Sequence, residues 1–323
     1  MEDYKVNSKI LRACISGIDS LASEAELNLK SVAKVKYVHL STEQELVDCL
    51  KECDIFWFRL NHQLTRKILE HSNVSFIVCA VTGLDHIDIE ACKEFNIKII
   101  SLKNEFSFLN EVRATAEHTL ALMLLLSRKL KRVFTHVEEG NWDRTLFKGT
   151  ELYKKKIGIL GMGRLGKIVA EYCAVFGASV YFYDTNRSLS EVPKSYICCD
   201  SIESLCSEVD ILSIHIPYNL KNHFLINRAI LDKCKPEILI LNTSRGGIVD
   251  EQAIALNIEN KKIGGYATDV LFGEPIIKNH VLVKLAKTHE NVIITPHIGG
   301  NTFESVEKTE NFVAQKLLKL IKN

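Results

Sequence analysis

Lys156-Ile157-Gly158-Ile159-Leu160-Gly161-Met162-Gly163-Arg164-Leu165-Gly166 is the stretch that decides the fold. An apolar burst of strand character runs into G-x-G-x-x-G, and a helical pattern follows from Lys167 to Phe176. A second apolar strand, Val180 to Tyr183, ends on Asp184, 18 residues past Gly166. Alone, three glycines at this spacing say little. Between a strand and a helix, with an acid at the end of the next strand, they form a dinucleotide-binding fingerprint. Gly161 makes the tight turn, Gly163 lets the backbone approach a pyrophosphate, and Gly166 lets helix and strand pack closely. N–H groups at the helix start face the phosphates. Asp184 would accept hydrogen bonds from the adenosine ribose diol.

Working outward, the chain of 323 residues exceeds one typical domain and fits two, each large enough for its own core. Lys plus Arg number 41 against 40 for Asp plus Glu, a net charge of +1. No basic face or charge block points to nucleic acid or to an anionic membrane. The longest purely apolar run, Leu120 to Leu126, falls far short of a membrane span. The N-terminus mixes Glu2, Asp3 and Lys5 without an apolar core, so no signal peptide is expected. The ten cysteines include no C-x-x-C and mostly lie in apolar contexts. They read as small buried hydrophobes in a reducing, cytoplasmic compartment rather than as a disulfide or zinc framework, and no metal is expected.

Strand-like and helix-like segments alternate almost throughout, the pattern of α/β architecture with parallel sheets. In the first hundred residues strands are expected at Ile10–Ser16, Val35–Leu40, Asp54–Leu60, Val74–Val81 and Ile97–Leu102, with helices at Thr42–Glu52, Thr65–His71 and Ile87–Phe95. They make a doubly wound unit without a glycine fingerprint of its own. A long helical run, Glu111 to Val133, precedes the glycine-loop unit, whose later strands fall near Val209–His215, Ile238–Asn242, Gly264–Val270 and Val292–Thr295. Thr302 to Lys322 reads as one amphipathic helix with Phe303, Val306, Phe312, Val313, Leu317 and Leu320 on a face. The expected division is therefore a substrate domain of residues 1–103 plus 299–323 and a dinucleotide domain of residues 104–298. Crossings near Lys103–Phe108 and Ile298–Asn301 would hinge the two around a cleft.

Three signals downstream of the fingerprint carry chemistry. Asn242-Thr243-Ser244-Arg245-Gly246-Gly247 puts an arginine at a strand's C-terminal end, where open α/β sheets bind ligands. Arginine grips a planar carboxylate with two parallel hydrogen bonds. Asp269-Val270-Leu271-Phe272-Gly273-Glu274-Pro275 follows a second strand, and Thr295-Pro296-His297-Ile298-Gly299-Gly300 ends a third. A histidine is the natural proton carrier between an alcohol and a ketone near neutral pH, and Glu274 beside it would stabilise imidazolium and fix its tautomer. Taken singly, Arg245 reads equally as a turn-capping surface residue and His297 as a structural histidine. Three such residues at successive strand ends beside a cofactor site read as an active site.

The ordered set G-M-G-R-L-G, Asp184, N-T-S-R-G-G-I-V-D-E, D-x-x-x-x-E-P and P-H-I-G-G resembles the D-isomer-specific 2-hydroxyacid dehydrogenases. The likeness extends upstream to V-T-G-L-D-H-I-D from Val81 and A-T-A-E-H-T from Ala114, covering roughly residues 54 to 321. The stretch from Asn141-Trp142 to Gly149-Thr150-Glu151-Leu152 is most similar to the 3-phosphoglycerate dehydrogenase branch, whose longer members add a C-terminal regulatory domain. The resemblance implies a flavodoxin-like substrate domain plus a Rossmann NAD domain, and hydride transfer between nicotinamide C4 and the substrate's C2. By the same resemblance Arg245 binds the substrate carboxylate, His297 is the acid–base and Glu274 its partner. Thr82 and Gly83 add backbone donors to the carboxylate. Arg164 and Leu165 lie against the pyrophosphate, Asp184 against the ribose, and Pro217 against the adenine. Thr243 touches the cofactor, and Asp269 accepts the nicotinamide carboxamide.

Arg59, at the end of the strand Asp54–Leu60, would face the far end of the substrate, as a basic residue does in the phosphoglycerate branch. The substrate would then carry a second polar or anionic group, a phosphate or carboxylate. The alternative for Arg59 is a solvated strand-end residue. Asp184 favours NAD over its 2′-phosphate counterpart, with Arg187 the one nearby residue that opposes this. Departures from the family pattern are His215-Ile216-Pro217 followed by Tyr218 to His223 instead of threonines, and the unmatched Phe106 to Glu111. Expected partners are a small 2-hydroxy or 2-keto acid and a second copy of the chain, with no nucleic acid or membrane; the Leu120–Leu126 helix is either the dimer surface or a buried core helix. Two other activities of the fold stay open: an NAD-sensing corepressor, and a formate dehydrogenase, in which a glutamine stands where Glu274 does.

Overall fold

The computed structural model describes residues 10–186 and 192–322. Two compact units divide the chain: residues up to Glu111 together with Thr302 onward, and Val112–Asn301. The first boundary thus falls beyond Phe108, and the second directly after Asn301.

The first unit holds five parallel strands: β1 (Leu11–Ser16), β2 (Ala33–Val38), β3 (Ile55–Trp57), β4 (Phe76–Cys79) and β5 (Lys98–Ser101). Their order, β2-β1-β3-β4-β5, is the flavodoxin-like one. β3 reads Ile-Phe-Trp with every residue buried, as a central parallel strand covered on both faces must. Helix Glu43–Glu52 starts on a capping box: Glu45 N–H donates to Thr42 Oγ1 at 3.2 Å, and Thr42 N–H donates to the Glu45 carboxylate at 3.1 Å. The helix lays Leu46 and Leu50 on a core with Phe56, Phe58 and Ile77.

The last helix, Phe303–Lys322, belongs to this unit and packs on helix Ser23–Lys30 and on β4 and β5. Its buried face is only partly the one expected, with Val313 and Leu317 on it. Ser305, Thr309, Glu310, Val313, Ala314 and Leu317 are buried, whereas Phe303 is 94 % exposed and Leu320 39 %. The stripe includes polar residues: Glu310 meets Arg59 far off in the chain, and the Thr309 hydroxyl donates to the Ser305 carbonyl one turn back in the same helix. Phe312 stacks on Phe108, ring centroids 4.1 Å apart, which gives the unmatched 106–111 stretch a packing role.

The second unit holds seven parallel strands: β6 (Lys156–Leu160), β7 (Ser179–Tyr183), β8 (Ile197–Cys198), β9 (Ile211–Ile214), β10 (Leu239–Asn242), β11 (Gly265–Thr268) and β12 (Val292–Ile294). The order β12-β11-β10-β9-β6-β7-β8 reverses direction between β6 and β9, which makes that point the ligand crevice of a Rossmann sheet. The expected run Glu111 to Val133 is broken. Helix Ala114–Ser127 ends before Lys129, which has φ 53°, and a new helix spans Val133–Glu138. Past the break, the Lys131 ammonium donates to the carbonyls of Ala286, His289 and Val292 at 2.5–3.2 Å. Leu122, Met123 and Leu126 are buried in the core of this unit, leaving Leu120, Leu124 and Leu125 half-buried. Among the described residues no helix is long and apolar enough to cross a membrane. The ten cysteines form no disulfide, and most are buried as expected.

Candidate active site

The glycine loop joins β6 to helix Arg164–Val175 at the crevice. Gly161 has φ 95°, and a Cβ there would meet the His215 carbonyl at 2.8 Å, so only glycine fits the turn. A Cβ on Gly166 would lie 2.0 Å from the Gly161 carbonyl, which is the demand of close helix–strand packing. Gly163 differs, because a Cβ on it would meet nothing within 4 Å. That open space beside an N-cap without a side-chain cap fits a pyrophosphate on the helix N–H groups. Asp184 stands where β7 ends, and its carboxylate accepts from the N–H groups of Met162 at 2.7 Å and Asn186 at 2.8 Å. The acid is thereby fixed beside the glycine loop with lone pairs left for a ribose diol. Arg164 donates from Nη1 to the Val112 carbonyl at 2.8 Å. Leu165 follows it in the first turn. Arg187 lies outside the described residues.

At the other side of the sheet, β10, β11 and β12 are neighbours and their C-terminal loops carry the expected triad. His297 Nδ1 and Glu274 Oε1 are 2.5 Å apart, and the Leu271 N–H donates to the second Glu274 oxygen at 3.2 Å. With Nδ1 bound to the carboxylate, Nε2 is the nitrogen left to move a proton. His297 has φ 55°, and its N–H donates to the carbonyls of Asp269 and Thr295. Arg245 is half-buried, with Nη1 donating to its neighbour's carbonyl at 2.8 Å. Asn242 shapes this turn, since its side chain donates to the Arg245 carbonyl and accepts from the Ser244 N–H. A Cβ on Gly246 would fall 2.1 Å from the Phe272 nitrogen, so the arginine loop and the Glu274 loop lie directly against each other.

Asp269 turns out to be a hub. It is 2 % exposed, and its carboxylate accepts from the Thr295 hydroxyl, the Ile298 and Gly299 N–H groups and His118. Burial alone would raise its pKa, but these donors outweigh it and hold the carboxyl below its ordinary value. Asp269 thus fixes the loop that carries His297. Thr243 is buried, its hydroxyl 2.8 Å from that of Thr119. Pro217 is exposed past β9, its carbonyl accepting from Asn222.

Sequence reasoning missed His118, Thr295 and Asn242, and also Glu251 with His280. The last pair supports the Glu274 loop from behind. Glu251, 5 % exposed, accepts from the Phe272 N–H at 3.2 Å and pairs with His280 Nε2 at 2.8 Å. Burial pushes Glu251 up to about 8 and His280 down. The only signal was the D-E ending of the arginine motif, which names a residue type and not a partner.

In the first unit, Arg59 and Thr82 with Gly83 follow the C-terminal ends of β3 and β4, and the Cys79 thiol bonds the Arg59 carbonyl between those ends. Arg59 is not a solvated strand-end residue. Its Nη2 donates to Glu310 Oε1 at 2.8 Å, and that fully buried carboxylate also accepts from the Ala22 N–H at 2.7 Å.

The chain is similar to known proteins. A family model described as "D-isomer specific 2-hydroxyacid dehydrogenase, NAD binding domain" matches residues 120–299, which bears out the cofactor read from the glycine loop. A D-3-phosphoglycerate dehydrogenase of Synechocystis sp. is 34 % identical over 290 residues, covering 90 % of this chain and 50 % of that protein. A hydroxypyruvate reductase of Thermotoga maritima is 30 % identical over 303 residues, 94 % of this chain and 95 % of that one. The structure of D-lactate dehydrogenase from Aquifex aeolicus with NAD and lactic acid superposes at a TM-score of 0.83 and 26 % identity, over 96 % of each chain. The chain spans about half the length of the phosphoglycerate dehydrogenases it matches.

Proposed function

The chain belongs to the D-isomer-specific 2-hydroxyacid dehydrogenase family, and from that premise we propose that it interconverts a D-2-hydroxy acid and its 2-keto acid. The observation that carries the reading is the Glu274–His297 pair, 2.5 Å apart, beside the loop of Arg245. NAD, bound on the glycine loop, supplies the hydride acceptor or donor. Arg245 holds the substrate carboxylate in a two-bond grip and adds positive charge near the C2 oxygen. His297 Nε2 takes the hydroxyl proton during oxidation and returns it during reduction. Glu274 keeps Nδ1–H occupied, which orients the ring and stabilises the imidazolium that forms. Thr82 and Gly83 enter as further carboxylate donors on the strength of the resemblance and of their place at a strand end.

For the substrate, we take a keto acid with a second polar or anionic group, such as a phosphorylated or dicarboxylic acid of the 3-phosphoglycerate kind. Arg59 at the end of β3 and the identity to phosphoglycerate dehydrogenases support this. A homodimer is part of the proposal, with the half-buried Leu120, Leu124 and Leu125 as its surface. Ten cysteines without a disulfide suit a reducing, cytoplasmic compartment. The test is a panel of 2-keto acids with NADH, followed at the nicotinamide absorbance. Turnover is expected on at least one phosphorylated or dicarboxylic member. NAD binding without turnover on any keto acid would replace this reading with that of an NAD-sensing binding protein.

A further inference from the structure

Three thiols that the mechanism does not use lie together in the first unit, in a chain whose cysteines read from sequence as inert packing. Cys14 stands on β1, and Cys49 and Cys53 lie on the last turn and at the C-cap of helix Glu43–Glu52. The i, i+4 spacing places Cys49 and Cys53 on one helix face. That face covers β1, and the three sulfurs all lie within 4.8 Å of one another. Cys14 and Cys53 are buried and Cys49 is half-buried as a residue, while the three-sulfur group itself is buried, so it sits in an apolar shell.

We propose that Cys14, Cys49 and Cys53 form a three-coordinate site for a soft monovalent d10 cation, Cu(I). The donor set selects the ion. Three thiolates with no oxygen or nitrogen ligand favour soft metals. Structural zinc closes its shell with four protein ligands, and iron–sulfur clusters use four cysteines. Among the described residues no fourth His, Cys, Asp or Glu joins the group. Sulfur separations of this size allow an ion at the centre of the triangle with small rotations of the side chains, without moving β1 from the helix. Binding exchanges three S–H protons for three S–Cu bonds while copper stays in the +1 state, so no oxidant is required. The bound group carries a net negative charge. Lys36 pairs in register with Cys14 on the adjacent strand, so its side chain leaves the same face of the sheet and offsets part of that charge.

The experiment titrates the reduced full-length chain with Cu(I), anaerobically, against a chromogenic Cu(I) chelator. Wild type is expected to withdraw one Cu(I) per chain and to melt at higher temperature once loaded. Copper should also shield Cys14, Cys49 and Cys53, and not Cys198, from alkylation read by mass spectrometry. Cys49→Ser and Cys53→Ser should each weaken Cu(I) binding more than about 100-fold, beyond the usual effect of losing an outer-shell partner. Cys198→Ser, at an exposed thiol on β8, should bind as wild type. If buried Cys53→Ser fails to fold, half-buried Cys49→Ser still decides the matter. Retention of copper by Cys49→Ser, no stoichiometric binding by wild type, or Zn(II) displacing Cu(I) from the thiols would each overturn the assignment.

Discussion

His297 combines two features that rarely coincide by chance. Its φ of 55° lies in the left-handed region, which costs an L-residue on the order of 1–3 kcal/mol, and its ring is clamped to Glu274. The Asp269 carbonyl holds the strained N–H, while the Asp269 carboxylate holds the next two, on Ile298 and Gly299. Strain kept in place by so many bonds points the imidazole in one direction. His297→Ala should therefore lower kcat by roughly 10²–10⁴ and leave NADH binding nearly intact, as stopped-flow fluorescence would show. Glu274→Gln removes the charge that stabilises imidazolium. Ketone reduction forms and consumes that imidazolium, so kcat should fall while NADH binding holds, and an unchanged kcat would remove Glu274 from the mechanism. Asp184 sets the cofactor in the same way. Its carboxylate is fixed by Met162 and Asn186 and, on the proposed reading, would accept from a ribose 2′-hydroxyl and repel a 2′-phosphate. NADH should be preferred over NADPH by at least roughly tenfold in kcat/KM, about 1.4 kcal/mol. Equal efficiency with both cofactors sinks that role.

Strands were readable because a parallel strand covered on both faces must be an apolar run: β3, β6 and β9 are almost wholly buried, and each was visible as such. Helix faces were less so. The stripe on Phe303–Lys322 runs through Ser305, Thr309 and Glu310: Ser305 and Thr309 bond each other within the helix, and Glu310 is buried against Arg59, a partner far off in sequence. The same limit hid Glu251. It sits in helix Glu251–Glu259, yet its partners are His280, at the N-cap of helix Val281–Ala286, and the Phe272 N–H beside the Glu274 loop. Burial holds this carboxyl at about 8 against a reference of 4.5, so folding favours its protonated form. The sign follows by linkage: that stability is fully present below pH 4.5 and is lost as pH rises through about 8. Glu251→Gln cannot titrate. Urea unfolding at a series of pH values should show wild type losing stability relative to this variant between those limits. Parallel curves would mean that the His280 bond keeps Glu251 charged throughout.

At the scale of the whole molecule, the chain starts and finishes the same unit, and Arg59–Glu310 ties its last helix to β3. The candidate site was legible as residue types at strand ends, because parallel sheets present ligands there whatever the loops do. Arg59 was legible only by place, since its partner lies 251 residues away. Two roles for it now make different predictions. As a brace, it neutralises a carboxylate that is fully buried. Arg59→Leu then strands that charge and lowers stability by about 3 kcal/mol, the low end for a broken buried pair because Arg59 keeps 28 % exposure. Arg59→Leu with Glu310→Gln removes the stranded charge and keeps an acceptor for the Ala22 N–H, so most of the loss should return. As a substrate residue, Arg59 also meets the second anionic group. Both the single and the double variant should then lose kcat/KM on phosphorylated or dicarboxylic keto acids more than on pyruvate, by the same factor. The stabilities of the two variants diverge while their specificities agree, which separates the roles in one pair of proteins. If the double variant regains wild-type specificity along with stability, Arg59 is a brace and nothing more.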